Sequence, residues 1–197
     1  QLYQIDYEGV HRRDLRDDPM RDVLVCRTPK ELVDDYANPQ TILATHLTLS
    51  PDRTKAYLDT RSSKGPSRPG LLDLKTGVFT PWTSLPFYSN HGQLSPVRDD
   101  EAIGAWEAAH VLTFPELSPE ERKVAKSKFP PPYVTDRKRP ADTVYPRLWL
   151  FRADGTARMI PSRINNYATH ESFTRDGRGI TFSCSNWTRT HASSFTL

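Results

Sequence analysis

The sequence predicts an all-β fold made of repeated four-stranded units, and three observations support this. Turns of similar chemistry recur at residues 50–53, 95–98 and 174–177, where they read Ser-Pro-Asp-Arg, Ser-Pro-Val-Arg and Thr-Arg-Asp-Gly. A short apolar segment typical of a β-strand follows each turn. The first two turns lie 45 residues apart, an interval typical of the β-propeller, whose blades each contain four strands.

The strands of the repeat can be placed in order along the chain. A second strand follows each turn, at residues 56–59, 102–107 and 179–184. A candidate third strand closes on a polar turn at residues 2–6, 70–77 and 148–155. We expect three to four blades, with residues 1–197 forming part of a single propeller domain. Because a closed ring needs more blades than this, we expect the remaining blades to come from the same longer polypeptide.

The repeat is interrupted by an insertion at about residues 111–143. The second interval between turns is 79 residues, and the excess is rich in proline and charge. A capping sequence at Ser118-Pro119-Glu120-Glu121 predicts one short helix, followed by an extended proline-rich arm. Such an insertion on a propeller rim either forms a wall or lid of a binding site or is a tolerated surface excursion.

Composition agrees with a β domain outside the membrane. Hydrophobic residues make up 36% of the chain, mean hydropathy is −0.66, and the apolar runs are far shorter than a membrane span. The net charge of +3 is small, but basic residues cluster with aromatic ones in the loops, which suits an anionic ligand. We expect no nucleic-acid partner, because the chain has no long basic stripe and no groove-reading motif.

Cysteines and tryptophans carry weaker signals. Cys26 and Cys184 fall in different blades, and nothing in their spacing supports a disulfide. Trp106, Trp149 and Trp187 are expected to pack between blades.

A histidine stands four residues before each of the three turns, namely His46, His91 and His170. The first strand of each blade lines the central channel of a propeller, so we expect the three imidazoles to converge on one axial site. A single histidine at such a place is more often structural than functional, and the function therefore depends on the combination of residues.

Several segments together resemble the propeller polysaccharide lyases, namely the oligogalacturonate lyase and ulvan lyase families. The resemblance covers about residues 40–190 and rests on the following segments: Asn90-His91-Gly92-Gln93-Leu94-Ser95-Pro96, residues 102–107, residues 145–155, and Thr169-His170-Glu171-Ser172-Phe173 before the turn at 174–177. The resemblance implies a seven-bladed propeller that cleaves uronic-acid glycans, such as ulvan or pectic oligogalacturonate, by β-elimination.

Elimination across C4 and C5 of a uronate needs a neutralised carboxylate, a base for the C5 proton and an acid for the departing O4. Under the resemblance, His91 is the candidate base, and His110 could share either proton-transfer role. Tyr145 is the candidate acid, with Tyr167 as an open alternative, and Arg163 is the candidate neutraliser. The candidate substrate contacts are Asn90, Gln93, Tyr167 and His46.

The resemblance also implies a divalent metal. His170 matches the metal-ligand position of the oligogalacturonate lyases, and Cys184 and His191 follow it. A His/Cys/His set suits zinc, which we prefer over manganese or calcium. The further ligands that oligogalacturonate lyases draw from a later blade fall outside these residues.

A rival interpretation comes from another class of protein. The chain would then be a non-catalytic, TolB-like propeller that binds a protein or a glycan, with its histidines hydrogen-bonded to neighbouring blades. For the lyase we expect a secreted or periplasmic location, or a cytoplasmic one if it acts on short oligogalacturonates.

Overall fold

The computed structural model describes residues 1–17, 19, 21–33, 42–61, 66–85, 89–106, 147–160, 167–185 and 190–196. Within these ranges the chain forms fourteen β-strands and one short helix. The strands are β1 (Leu2–Ile5), β2 (Gly9–Arg13), β3 (Asp22–Arg27), β4 (Thr48–Leu49), β5 (Lys55–Thr60), β6 (Arg68–Asp73), β7 (Phe79–Pro81), β8 (Ser89–Leu94), β9 (Glu101–Trp106), β10 (Leu148–Arg152), β11 (Ala157–Met159), β12 (Tyr167–Phe173), β13 (Gly179–Ser185) and β14 (Thr190–Thr196), and the helix α1 (Lys30–Val33) follows β3.

The strands form four antiparallel sheets in chain order. Sheet I has the order β1-β2-β3, sheet II β4-β5-β6-β7, sheet III β8-β9-β10-β11 with β8 at one edge, and sheet IV β12-β13-β14. Within each sheet every strand pairs with the next along the chain, as in propeller blades, which confirms the predicted fold class.

The predicted turns connect the first and second strands of sheets II, III and IV. Ser50, Ser95 and Thr174 donate backbone hydrogen bonds to Lys55, Glu101 and Gly179, respectively. The hydroxyls of Ser50 and Thr174 each donate to the carboxylate two residues later, at 2.6 and 2.7 Å. The turns at Ser50 and Thr174 are therefore equivalent, whereas the turn at Ser95 is one residue longer and has Val97 in place of the aspartate, and all three occupy the same place in their sheets.

Apolar side chains between successive sheets form three cores. The core between sheets I and II contains Val10, Leu58 and Leu72, and the core between sheets II and III contains Tyr57, Leu71, Leu94, Trp106, Trp149 and Phe151. The third core, between sheets III and IV, contains Ile103, Leu148, Leu150, Ile180 and Phe182. Alternate residues of one strand face opposite cores, because successive side chains of a strand point to opposite faces.

Two sequence predictions can be checked directly at the level of elements. Trp106 and Trp149 pack between sheets II and III, with ring centroids 6.1 Å apart, as predicted. The segment at residues 2–6 is not a third strand: it forms the edge strand β1, and two further strands of the same sheet follow it. The polar turn at Asp6 closes the hairpin between β1 and β2, because the Asp6 carboxylate accepts hydrogen bonds from the backbone of Glu8 and Gly9.

The predicted insertion at about 111–143, its helix at Ser118 and Trp187 lie outside the described residues. In the part of the chain that the structure describes, no helix is long and apolar enough to cross a bilayer.

Candidate functional site

Two of the three repeated histidines occupy the same unusual backbone position. The pairing of β8 with β9 shifts register between Asn90 and Gln93, and the pairing of β12 with β13 shifts between Thr169 and Ser172. His91 and His170 lie at these bulges with φ angles of 54° and 55°. This left-handed region normally favours glycine, so the side chain is held there at a cost.

His46 belongs to the same sequence column but has different geometry. It precedes the short strand β4 in a bend, and it is absent from the described residues that have positive φ. Its ring nevertheless contacts that of His91 edge to face, with centroids 5.1 Å apart. The structure therefore joins His46 of sheet II to His91 of sheet III, whereas His170 makes no ring contact with either among the described side chains.

A buried carboxylate lies behind His91. Glu171, next to His170 on β12, has a fully buried side chain, and its Oε1 lies 3.9 Å from His91 Nδ1. Its Oε2 lies 3.6 Å from a guanidinium nitrogen of Arg147, which is 3% exposed. The His91 side chain itself is 41% exposed. The imidazole thus has one nitrogen directed at a buried ion pair, while the ring reaches solvent.

Gln93 connects the same two sheets. Its side-chain amide donates a hydrogen bond of 2.8 Å to the backbone carbonyl of Glu171. The structure thus shows Gln93 joining β8 to β12, and its predicted contact with substrate stays a prediction. The side-chain oxygen of Asn90 is buried, and the predicted role of Asn90 in substrate binding is likewise untested.

Asp59, on β5, binds the backbone next to each histidine of the pair His46 and His91. Its buried carboxylate accepts hydrogen bonds from the Thr45 backbone at 2.7 Å and from the Gly92 backbone at 3.0 Å, and a third from the Thr45 hydroxyl. Thr45 precedes His46, and Gly92 follows His91. Burial raises the pKa of Asp59, although the hydrogen bonds act in the opposite direction.

Gly92 allows β8 to approach β5 this closely. A Cβ atom at this position would lie 2.7 Å from the Tyr57 ring and 2.8 Å from Asp59 Cβ. Any side chain here would push the two sheets apart and break the hydrogen bond to Asp59. The sequence His-Gly thus places an imidazole at the bulge and a bare backbone against the neighbouring sheet.

The candidate metal ligands are only partly described. His170 is exposed on β12, and Cys184 and His191 are backbone partners across β13 and β14. Among the described side chains, no group of three His, Cys, Asp or Glu residues could hold a metal ion. Of the three predicted ligands, only His170 has a described side chain. The zinc set with Cys184 and His191 therefore stays a prediction. Cys26, in sheet I, is a buried free thiol.

His110, Tyr145 and Arg163 lie outside the described residues. Tyr167 begins β12, but its side chain is not among those described.

Sequence reasoning missed Asp59, Glu171 and Arg147 as site residues. Two of them carried a signal: Asp59 is an acidic residue directly after the apolar run Ala56-Tyr57-Leu58, and Glu171 directly follows a repeated histidine. Buried charges are retained only where they have partners.

Comparison with known proteins supports the fold. No protein-family model matches the sequence, and no curated protein matches it. Among solved structures, the chain is similar to an oligogalacturonate lyase in complex with manganese, with a TM-score of 0.61 and 16% identity over 99% of this chain and 49% of the other. It is also similar to an oligogalacturonate lyase from Vibrio parahaemolyticus, with a TM-score of 0.59 and 14% identity over 98% and 46% of the two chains.

Prolyl endopeptidases are more distant, with a TM-score of 0.51 and 11% identity over 97% of this chain and 25% of the other. The chain thus spans about half the length of the oligogalacturonate lyases that it matches. The fold and the site together define a β-propeller with a cluster of histidines and buried carboxylates between its blades.

Proposed function

We propose that the protein is a lyase that cleaves a uronic-acid-containing glycan by β-elimination, with His91 as the base. The observation that carries this proposal is the arrangement of His91, whose ring is partly exposed while its Nδ1 faces the buried carboxylate of Glu171 at 3.9 Å. Support also comes from the fold shared with two oligogalacturonate lyases.

The chemistry of the proposal follows from this geometry. The Glu171 carboxylate lies beyond hydrogen-bond distance of Nδ1, but its charge stabilises the imidazolium that forms when the ring takes a proton. Proton transfer with the C5 hydrogen is then assigned to Nε2, on the other side of the ring. Arg147 balances the charge of Glu171 within the protein, because a buried carboxylate without a partner is costly.

The carboxylate of the substrate needs a separate partner. Arg147 is buried and lies beside Glu171, so we retain Arg163 as the proposed neutraliser and His110 as a further proton-transfer candidate. A bound divalent ion would also withdraw charge from a uronate carboxylate. His170 would be one ligand of such an ion; the manganese of one structural neighbour supports a divalent metal, whereas zinc has no support from the comparisons.

The proposed substrate is an anionic polysaccharide or oligosaccharide, either ulvan or pectic oligogalacturonate. With a polymeric substrate the protein would act outside the cytoplasm, as a secreted or periplasmic enzyme. Neither nucleic acid nor a membrane enters the proposal.

The test is turnover by His91→Ala. Elimination leaves a conjugated unsaturated uronate, so activity is measured as ultraviolet absorbance on a panel of uronate polymers that includes pectate and ulvan. Loss of a general base lowers turnover by about 10²- to 10⁴-fold, and we expect this loss while the melting temperature changes little.

His11→Ala serves as the matched control, because His11 lies in sheet I beside Asp6 and should leave activity unchanged. Activity of His91→Ala within a few-fold of wild type would refute His91 as the base. If wild type gives no absorbance change on any uronate, the rival non-catalytic propeller is favoured.

A further inference from the structure

We infer that His46 is a second catalytic residue, the acid that protonates the departing O4, and that the enzyme therefore acts on uronates whose C5 hydrogen and O4 lie on the same face of the sugar. This inference rests on the proposed lyase function. It assigns to His46 the role that the sequence suggested for Tyr145 or Tyr167.

The rings of His46 and His91 lie too close together to flank a sugar ring. The imidazoles of His46 and His91 contact each other edge to face, with centroids 5.1 Å apart. A sugar ring between them would need a contact distance of about 3.5–4 Å on each side, so the centroids would have to be about 7–8 Å apart. The pair therefore cannot enclose a pyranose and must meet it from one side.

Hydrogen bonds between sheets II and III fix the spacing of the two histidines. One buried carboxylate, that of Asp59, binds the backbone next to His46 and the backbone next to His91. Thr48, two residues after His46, also accepts through its hydroxyl a hydrogen bond of 2.9 Å from the backbone of Leu94. Sheets II and III are thus tied together around the two histidines.

The stereochemistry of the substrate follows from this spacing. In glucuronate and mannuronate the C5 hydrogen and O4 lie on one face of the pyranose, so neighbouring groups on that face can serve both. In galacturonate and guluronate they lie on opposite faces, and the acid and the base must flank the ring. The contact between His46 and His91 suits the first pair of sugars, and it therefore disfavours the pectic alternative of the proposed function, whose sugar is galacturonate.

The proton balance of the step is complete. His91 takes the C5 proton as the C5–H bond breaks, the C4–C5 double bond forms, and the C4–O4 bond breaks while protonated His46 gives its proton to O4. His91 ends protonated and His46 neutral, and proton exchange between the adjacent rings or with water restores the starting state. No oxidant or co-reactant is needed.

The experiment measures unsaturated product from four polymers with the full chain. Polymannuronate and a 1,4-linked glucuronan carry the two groups on one face, whereas polygalacturonate and polyguluronate carry them on opposite faces. We expect turnover on the first two and at least a tenfold lower kcat/KM on the last two.

The variant is His46→Gln, with Tyr145→Phe and Tyr167→Phe as comparisons. Because loss of a general acid lowers turnover by about 10²- to 10⁴-fold, we expect that loss in His46→Gln alone. The alkaline fall of the wild-type pH profile, which reports deprotonation of the acid, should disappear in His46→Gln. A structural role for His46 would change the melting temperature and leave the shape of the pH profile intact.

The outcomes separate the two proposals. Turnover confined to polygalacturonate or polyguluronate would overturn the inference and leave the lyase proposal standing. The inference is also overturned if His46→Gln keeps activity within a few-fold, or if a tyrosine variant removes the alkaline fall. No unsaturated product from any of the four polymers, or from ulvan, would refute the lyase function itself.

Discussion

At the scale of single residues, the left-handed conformation of two histidines is the local feature that best supports the proposed site. A residue with a Cβ pays about 1–2 kcal/mol to adopt this region, and glycine is the usual residue in the first position of such a bulge. His91 and His170 accept this cost at equivalent places in sheets III and IV. Because strain of this kind clusters at functional sites, it supports the proposed catalytic role of His91.

The strain gives a prediction that does not depend on the proposed reaction. In a strand interior, glycine is normally less stable than alanine by about 0.5–1 kcal/mol. At position 91 the order should reverse, with His91→Gly more stable than His91→Ala by about 0.5–1 kcal/mol, because glycine relieves the left-handed strain. Urea denaturation of the two variants measures the difference.

Arg158 provides the matched control for this comparison. It is exposed on β11 and is absent from the described residues with positive φ. Arg158→Gly should be less stable than Arg158→Ala. If the two positions gave the same order, the φ of His91 would carry no cost.

The residues of the site differ in how well the sequence reveals them. His46, His91 and Gln93 could be named because they stand in a repeat or in a motif that resembles a known family. The role of Asp59 depends on a contact with Gly92, 33 residues away in sequence, and Gln93 reaches Glu171 across 78 residues. No local pattern predicts which buried carboxylate a distant backbone will approach, so these contacts emerge only with the fold.

At the scale of elements, the site is made by strands of different sheets. β8 contacts β4 and β5 on one side and β12 on the other. Its bulge leaves the Gly92 amide unpaired with β9, and Asp59 on β5 accepts that hydrogen bond instead. A local break in one sheet is thus used to join two sheets next to a histidine.

The Asp59 carboxyl should make stability depend on pH. Because burial raises its pKa above 3.8, the folded state holds the proton more tightly than the unfolded state. Its contribution is fully present below the unfolded pKa and is lost as pH rises through the folded pKa. We therefore expect the free energy of unfolding of wild type, relative to Asp59→Asn, to fall as pH rises above about 4.

Urea denaturation of wild type and Asp59→Asn at a series of pH values between about 2 and 7 measures this difference. Asp52→Asn tests the opposite sign, because hydrogen bonds from Ser50 and Thr54 lower the pKa of Asp52 to about 2. For Asp52 the contribution is present above the unfolded pKa and is lost as pH falls toward about 2. If the difference in free energy of unfolding between wild type and Asp59→Asn were constant with pH, burial would not raise the pKa of Asp59.

At the scale of the whole molecule, the propeller class and the register of its repeats follow from sequence alone. Recurring turns mark the first and second strands of three sheets, and the short, nearly continuous apolar runs in β5, β6, β9 and β10 match burial on both faces. The prediction that residues 2–6 form a third strand was wrong, because a short strand followed by a polar turn has the same sequence pattern at any position in a blade. Its position depends on the strands that follow, and these lack the repeated turn.

The three inter-sheet cores have different relations to the site, and this gives the last prediction. Leu71, on β6, faces the core between sheets II and III, whereas Ile160, directly after β11, faces the core between sheets III and IV. Replacing either residue by alanine should cost about 2–5 kcal/mol of stability. Leu94, next to Gln93, shares the core of Leu71, whereas the core of Ile160 contains no residue adjacent in sequence to His46 or His91, so only Leu71→Ala should also disturb the spacing of the two histidines.

Small misplacements of catalytic groups can lower turnover by about 10²-fold, so we expect Leu71→Ala to lose activity well below its melting temperature. Ile160→Ala, with a similar loss of stability, should keep near-normal activity under the same conditions. Melting temperatures and rates of unsaturated product formation, measured on both variants, test this. Equal activity in the two variants would mean that the histidine pair is positioned by the Asp59 hydrogen bonds alone, and that packing between sheets II and III does not control it.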